Sequence, residues 1–253
     1  MTETALLAER HLHWPECPNV RDLGGLPALN GHGDGAPLTV RPGRFVRSDL
    51  PASFTEEGWR ALVAHGVRTI IDLRSPREIV REPYAIPNFA AAVQRQEIAM
   101  LPLDAEMMRL LENAPTRGDE YVLFVENYQA PIAEILRAIA TAPAGGVLYH
   151  CQAGKDRTGI ITALLLGLAG VPEDLIIADY AVSQSLLRPR WEREVAEALA
   201  AGNEPPFEPL TEPETMRTLL DHIAARYGGA AGYLEAIGVT AAEREALVAR
   251  LLH

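Results

Sequence analysis

The segment His150-Cys151-Gln152-Ala153-Gly154-Lys155-Asp156-Arg157-Thr158-Gly159 sets a thiol six residues before a guanidinium, with one glycine between them. An apolar strand precedes it and an apolar helix follows. A helix start presents unpaired N–H groups and the positive end of the dipole, which makes it an anion site. The backbone of Gln152, Ala153, Gly154, Lys155, Asp156 and Arg157 is long enough to curl round one phosphoryl group, and the planar Arg157 fork suits two of its oxygens. The same positive field favours the thiolate of Cys151. That sulfur would attack phosphorus, and water would then hydrolyse the cysteinyl-phosphate. Thr158, in the first helical turn, can hydrogen-bond the sulfur and help it leave. His150 reads as a residue that orders the loop. The plain alternative is a buried core cysteine in a routine connection, since most free cysteines are that.

The elements around the segment must position it. Val147 to His150 reads as a short strand, and about Arg157 to Gly170 as a long helix. Val67 to Leu73 is a β-branched run expected to be a buried strand, with a shorter one ending near Ser48 and a further one over Glu97 to Leu103. Thr55 to His65 reads as a capped helix, and about Val122 to Ala140 as another. The latter carries Val122, Val125, Tyr128, Ile132, Ile135, Leu136 and Ile139 at core spacing. Residues 104–119 look polar and irregular, and the helical C-terminal third is interrupted by the Pro-rich stretch Asn203 to Pro213. Alternating strand and helix predicts an α/β fold, a mostly parallel central sheet with helices on both faces.

Composition narrows the field. The chain has 253 residues, of which 48% are hydrophobic and 23% charged, ordinary values that exclude a disordered or fibrous protein. The formal net charge of -11 argues against nucleic acid or an anionic membrane surface as partner. No run reaches the ~18 apolar residues of a membrane helix, and Glu3, Glu9 and Arg10 interrupt any signal-peptide-like stretch, so a cytoplasmic protein is expected. Only Cys17 and Cys151 are present, too few for a disulfide scaffold. Arginine supplies every basic residue except Lys155, which stands inside the loop. His11 and His13 with Cys17 match no standard zinc spacing, so no metal and no cofactor are expected. Nothing in the pattern specifies an oligomeric state.

The segment HCQAGKDRTG resembles the signature of the cysteine-dependent tyrosine and dual-specificity phosphatases. Its Lys-Asp form is similar to an atypical bacterial branch related to secreted mycobacterial and listerial enzymes. Further matches are Asn19-Val20-Arg21-Asp22-Leu23-Gly24-Gly25, Arg41-Pro42-Gly43-Arg44 with Arg47-Ser48, Ile71-Asp72-Leu73-Arg74-Ser75 with Glu78, and the tail from Tyr227-Gly228-Gly229 through Tyr233-Leu234 to Gly238-Val239-Thr240. The resemblance covers nearly the whole chain. It implies one phosphatase domain over residues 1–253 with a helical lid, here within 104–119 and 180–213, and a phosphorylated protein or a phosphoinositide as substrate.

The resemblance also bears on the proton donor. Many tyrosine phosphatases carry it as Asp in a Trp-Pro-Asp loop, and no such tripeptide occurs here. The resemblance to the branch implies the loop aspartate, which is Asp156. Asp104, at the start of the expected lid, is the second candidate. Asp72 is the third, and is expected instead to orient Arg157 or Lys155; Asp119 reads as a solvated loop charge. Lys155 would offset Asp156 or contact a second phosphate. Asn19, Arg21 and Asp22 resemble a family element that lies close to the active site, read here mainly as a structural turn with Arg21 tied to a carboxylate. Arg188, Arg190 and Arg193 read as an exposed charged face, with a rim over an acidic ligand as the alternative. Cys17 reads as a passive thiol. Two rivals stand beside the hydrolase: a rhodanese-like sulfurtransferase and a pseudophosphatase that only binds phosphorylated ligands.

Overall fold

The computed structural model describes residues 9–29, 38–101 and 105–253. Along the chain come β1 (Arg21–Asp22), β2 (Pro27–Ala28), β3 (Leu38–Thr39), β4 (Phe45–Ser48), α1 (Glu56–Ala64), β5 (Val67–Asp72), α2 (Pro76–Arg81) and β6 (Gln94–Glu97). Then follow α3 (Ala105–Glu112), α4 (Arg117–Asn127), α5 (Gln129–Thr141), β7 (Gly146–His150), α6 (Asp156–Leu168), α7 (Glu173–Ala200), α8 (Pro213–Tyr227), α9 (Ala230–Ala236) and α10 (Ala241–Leu252).

The central sheet has the order β1-β4-β7-β5-β6, parallel throughout except for β1 against β4. It is the expected α/β architecture. Register brings Ser48, His150 and Asp72 abreast at the C-terminal ends of three adjacent strands. Ligands of open parallel sheets bind off those ends, and there the chain leaves β7 at Cys151.

The period-two alternation of strands divides the core between the two faces. Phe45, Ile71, Val147 and Tyr149 join the larger cluster with residues of α5 and α6. Val46, Ile70 and Leu148 face the smaller one with Trp14, Phe54, Trp59 and Leu62. Helix α6 is buried from Thr158 to Leu166 on every side, as a helix apolar all round must be. That burial holds its N-terminus still beneath the loop.

Three expectations are corrected. The helix over Val122 to Ala140 is two helices, meeting at Tyr128 with φ -114 and ψ 39. Pro131 accounts for the break: it has no N–H for the carbonyl of Asn127, and in a continuous helix its ring would collide with that carbonyl. The strand expected over Glu97 to Leu103, whose residues 102–103 lie outside the described ones, lies earlier, as the polar edge strand β6. Ile98, Met100 and Leu101 instead turn into the core as loop residues. Residues 105–112 and 117–119 are helical, not irregular. Asp119 consequently closes a capping box with Thr116 at the start of α4 and is no loop charge. Of the expected core positions on α4 and α5, Val122 is half-buried and the others are buried. Among the described residues no helix is long and apolar enough to cross a membrane.

Candidate active site

Cys151 is 2% exposed at the foot of the loop, and the Thr158 hydroxyl donates to its sulfur at 3.3 Å. Thr158 can reach it because α6 begins at Asp156, which puts that side chain in the first turn below the loop. Lys155 is the N-cap residue and makes no side-chain cap, so the first N–H groups of α6 face the loop without a side chain across them. Gly154 has φ +69, and a Cβ there would stand 2.4 Å from the Ser48 carbonyl oxygen. Only glycine lets the loop pack so closely on the end of β4.

Arg157 is gripped by Glu78, which accepts from Nη1 on Oε2 at 2.7 Å and from Nη2 on Oε1 at 2.6 Å. Glu78 also completes a capping box with Ser75 at the start of α2. Burial opposes its ionisation, but Arg157 and the Ser75 donors prevail and hold its carboxyl at about 2. Desolvation works against the Arg157 charge too, and is outweighed by Glu78 and Cys151, so the guanidinium is held above its ordinary range.

Asp72 does not reach Arg157 or Lys155, contrary to expectation. Its oxygens accept from Arg74 Nε at 3.0 Å and Nη2 at 2.9 Å, with His150 Nε2 at 3.6 Å. A fully buried carboxylate at a strand end takes the nearest guanidinium, and Arg74 is two residues away. His150 is also buried, and desolvation pushes it down to about 4. Its neutral ring therefore donates from Nδ1 to the Cys151 carbonyl at 2.9 Å and accepts on Nε2 from Tyr84 O–H at 2.8 Å.

Asp156 lies at the loop rim. Its Oδ1 accepts from Arg117 Nη2 at 2.9 Å, Tyr121 O–H at 2.7 Å and Lys155 Nζ at 3.4 Å. Burial would raise this carboxyl, yet Lys155, Arg117 and the Tyr121 hydroxyl hold it at about 2. Lys155 also donates to the Leu210 carbonyl at 3.2 Å, tying the loop to the segment that runs back from α7. Asp104 falls outside the described residues.

Two cavities adjoin the loop, and Arg117 and Asp156 line both. One, of about 740 Å³, has apolar walls from Leu101, Met108, Leu111 and Phe124 and polar ones from Asp156 and Arg157. The other, of about 380 Å³, is lined by Lys155, Arg190, Trp191 and Phe207 among others.

The remaining residues sort by contact. Arg21 is tied to a carboxylate as expected, and that carboxylate is Asp179. Arg188 and Arg193 are exposed, but Arg190 reaches the buried Asp49 at 2.8 Å. Cys17 is buried against Ser48 Oγ at 2.9 Å and Asp49 Oδ1 at 2.8 Å; desolvation and the Asp49 charge push its thiol well above the ordinary value. His11 and His13 face each other at 2.9 Å, and Cys17 is not in contact with them. The partners Arg117, Tyr121, Tyr84 and Asp179 carried no local signal, because each acts across dozens of residues. Glu78 did carry one, the Ser75-x-x-Glu78 capping pattern, which marks a helix start and says nothing of Arg157.

The model of a tyrosine phosphatase family matches residues 12–253. This chain belongs to that family. It is 33% identical over 258 residues to a tyrosine-protein phosphatase of Nostoc commune, covering 92% of this chain and 86% of that one. It is also 29% identical over 267 residues to the triple specificity protein phosphatase PtpB of Mycobacterium tuberculosis, covering 88% of this chain and 95% of that one. The protein is a phosphatase, and its family works through a cysteinyl-phosphate. The sulfurtransferase and pseudophosphatase readings give way to that membership.

Proposed function

We propose that Cys151 is the nucleophile of a phosphotyrosine phosphatase whose cradle is the backbone of residues 152–157. The Cys151 thiolate attacks phosphorus, the ester P–O bond breaks, and Asp156 gives its proton to the leaving oxygen. Water then attacks the cysteinyl-phosphate, the P–S bond breaks, and Asp156 takes a proton from that water. Arg157 holds the equatorial oxygens in both steps, and Thr158 stabilises the sulfur as it leaves. Asp156 is ionised in the free protein, so it receives its proton once the phosphoryl group is beside it. A neighbouring negative charge disfavours the carboxylate and raises its pKa.

The observation that carries this reading is the Thr158 hydroxyl on the Cys151 sulfur at the foot of a loop whose arginine is already held flat by Glu78. The apolar walls of the larger cavity, beside Asp156 and Arg157, favour an aromatic leaving group over serine or threonine. Helix α3, the start of α4, the second half of α7 and the segment after it form the lid. Lys155 and Arg190 in the smaller cavity would meet a second phosphate, as on a phosphoinositide headgroup, by exchanging their present partners Asp156, Asp49 and Glu194, and Glu208 in the same lining opposes it.

The test is a panel of phosphotyrosine, phosphoserine and phosphothreonine peptides and phosphoinositides on wild type and Cys151→Ser. Turnover is expected on phosphotyrosine first and is abolished by the substitution. Lys155→Met is expected to slow a bisphosphorylated substrate far more than a phosphotyrosine peptide. Equal losses would leave Lys155 only the role of balancing Asp156. A preference for phosphoserine would overturn the assignment of the larger cavity.

A further inference from the structure

Four successive carbonyls of the loop are each tied from behind. Cys151 O accepts from His150 Nδ1 at 2.9 Å, and Gln152 O from the Leu50 N–H at 3.0 Å. Ala153 O accepts from Asn19 Nδ2 at 2.8 Å, and Gly154 O from Arg47 Nη2 at 2.8 Å. In a trans peptide the carbonyl and the N–H of the next residue point in opposite directions, and these peptides are trans. A donor that fixes a carbonyl therefore aims the amide across the same plane. The amides aimed are those of Gln152, Ala153, Gly154 and Lys155.

The last two donors are themselves held. Arg47 Nη1 donates to Asp179 Oδ2 at 2.6 Å. The Asn19 amide oxygen accepts from Arg21 Nη1 at 2.6 Å, which leaves its NH₂ to face Ala153. Arg21 in turn donates to Asp179 Oδ1 at 3.0 Å, and Arg10 to the same oxygen at 2.5 Å. Three buried guanidiniums thus share one buried carboxylate. Burial keeps water from competing for these bonds, so the orientation is set before any ligand arrives.

We propose that Asn19 and Arg47 are positioning residues for phosphate binding, which aim the Gly154 and Lys155 amides at the oxyanion by holding the carbonyls on the far side of those peptides. This rests on the reading of residues 152–157 as the phosphate cradle. It assigns the Asn19-Val20-Arg21 stretch a part in ligand binding, where its turn-forming residues suggested mainly a structural one.

Asn19→Asp is the sharpest variant. It keeps the shape and the acceptor for Arg21 and replaces the donor to Ala153 by an oxygen that repels that carbonyl, while the charge it adds lies beside the Arg21 guanidinium. Inorganic phosphate is titrated into the full chain by calorimetry, with the Gly154 and Lys155 amide signals followed by NMR. In wild type, phosphate is expected to shift both signals. In Asn19→Asp, phosphate affinity is expected to fall about tenfold, the size of one lost hydrogen bond to a charged ligand. The Gly154 shift is expected to shrink, and KM to rise more than kcat falls, while the thermal midpoint stays within a few degrees. Asn19→Ala, which adds no charge, is read in the same way, so a folding defect particular to one variant leaves the other to decide. Phosphate binding within twofold of wild type in either folded variant overturns the proposal, as does loss of the fold in both, which makes Asn19 a stability residue. A wild type whose loop amides ignore phosphate instead overturns the cradle reading itself.

Discussion

Glu78 and Arg157 meet edge to edge, 79 residues apart in the chain, through two parallel hydrogen bonds of 2.7 and 2.6 Å. The pair consumes two of the five guanidinium donors and fixes the plane of the rest. A carboxylate that also caps α2 is rigid, so Arg157 is presented to the loop without a search among rotamers. Glu78→Gln keeps the cap acceptor and most of the shape but removes the charge. It is expected to lower kcat by roughly 10- to 100-fold and to lower the thermal midpoint as well, because the ionised carboxylate also stabilises the fold. Steady-state kinetics beside a thermal melt checks this, and an unchanged kcat would show that Arg157 orients itself.

Asp156 is assigned the leaving-group proton, so its removal should matter most where the leaving oxygen is poorest at carrying charge. Asp156→Asn is expected to cost roughly 10²- to 10⁴-fold in kcat on a phosphotyrosine peptide. The loss is smaller on an aryl phosphate whose leaving group is already acidic. Comparing the two substrates across pH checks the assignment. Equal losses on both, or near-full turnover on the phosphotyrosine peptide with the pH profile of wild type, would move the proton elsewhere.

Stability should follow pH in two stages. His150 is lowered to about 4, so the unfolded chain binds more protons between about pH 6.5 and 4, and stability falls as pH drops through that range by roughly 2–3 kcal/mol. Glu78 and Asp156, both near 2, contribute stability that is complete above the unfolded carboxylate range near pH 4. That contribution is lost as pH falls from there towards 2. Urea midpoints measured from pH 8 to pH 3 check both stages. His150→Asn is expected to flatten the upper one alone.

What the sequence made legible follows from distance along the chain. The thiol, the guanidinium and Thr158 stand within one strand-loop-helix unit, so their types and spacing sufficed to bring them together. Arg157 and Glu78, Arg47 and Gly154, and Asn19 and Ala153 are joined only by the sheet, and no local pattern announces them. Glu78 also shows that one residue can carry a readable job, capping α2, that hides a second. The misplaced strand has a physical reason as well. Gln94–Glu97 is a sheet edge with polar side chains, whereas the apolar Ile98 and Met100 lie past its end, still donating their N–H groups to the carbonyls of Asp72 and Leu73 while their side chains fill core space. Hydrophobicity reports burial, and at an edge strand the polar residues carry the regular ladder while the buried ones mark where it ends.

The most direct measurement is chemical quenching of a phosphotyrosine substrate labelled in its phosphoryl group, followed by mapping of the labelled peptide. Wild type mixed with excess substrate and stopped within the first turnover should carry up to one phosphoryl group per chain, on the peptide containing Cys151. Cys151→Ser should carry none and turn nothing over. Label on any other residue, or turnover that survives in Cys151→Ser, would contradict the account.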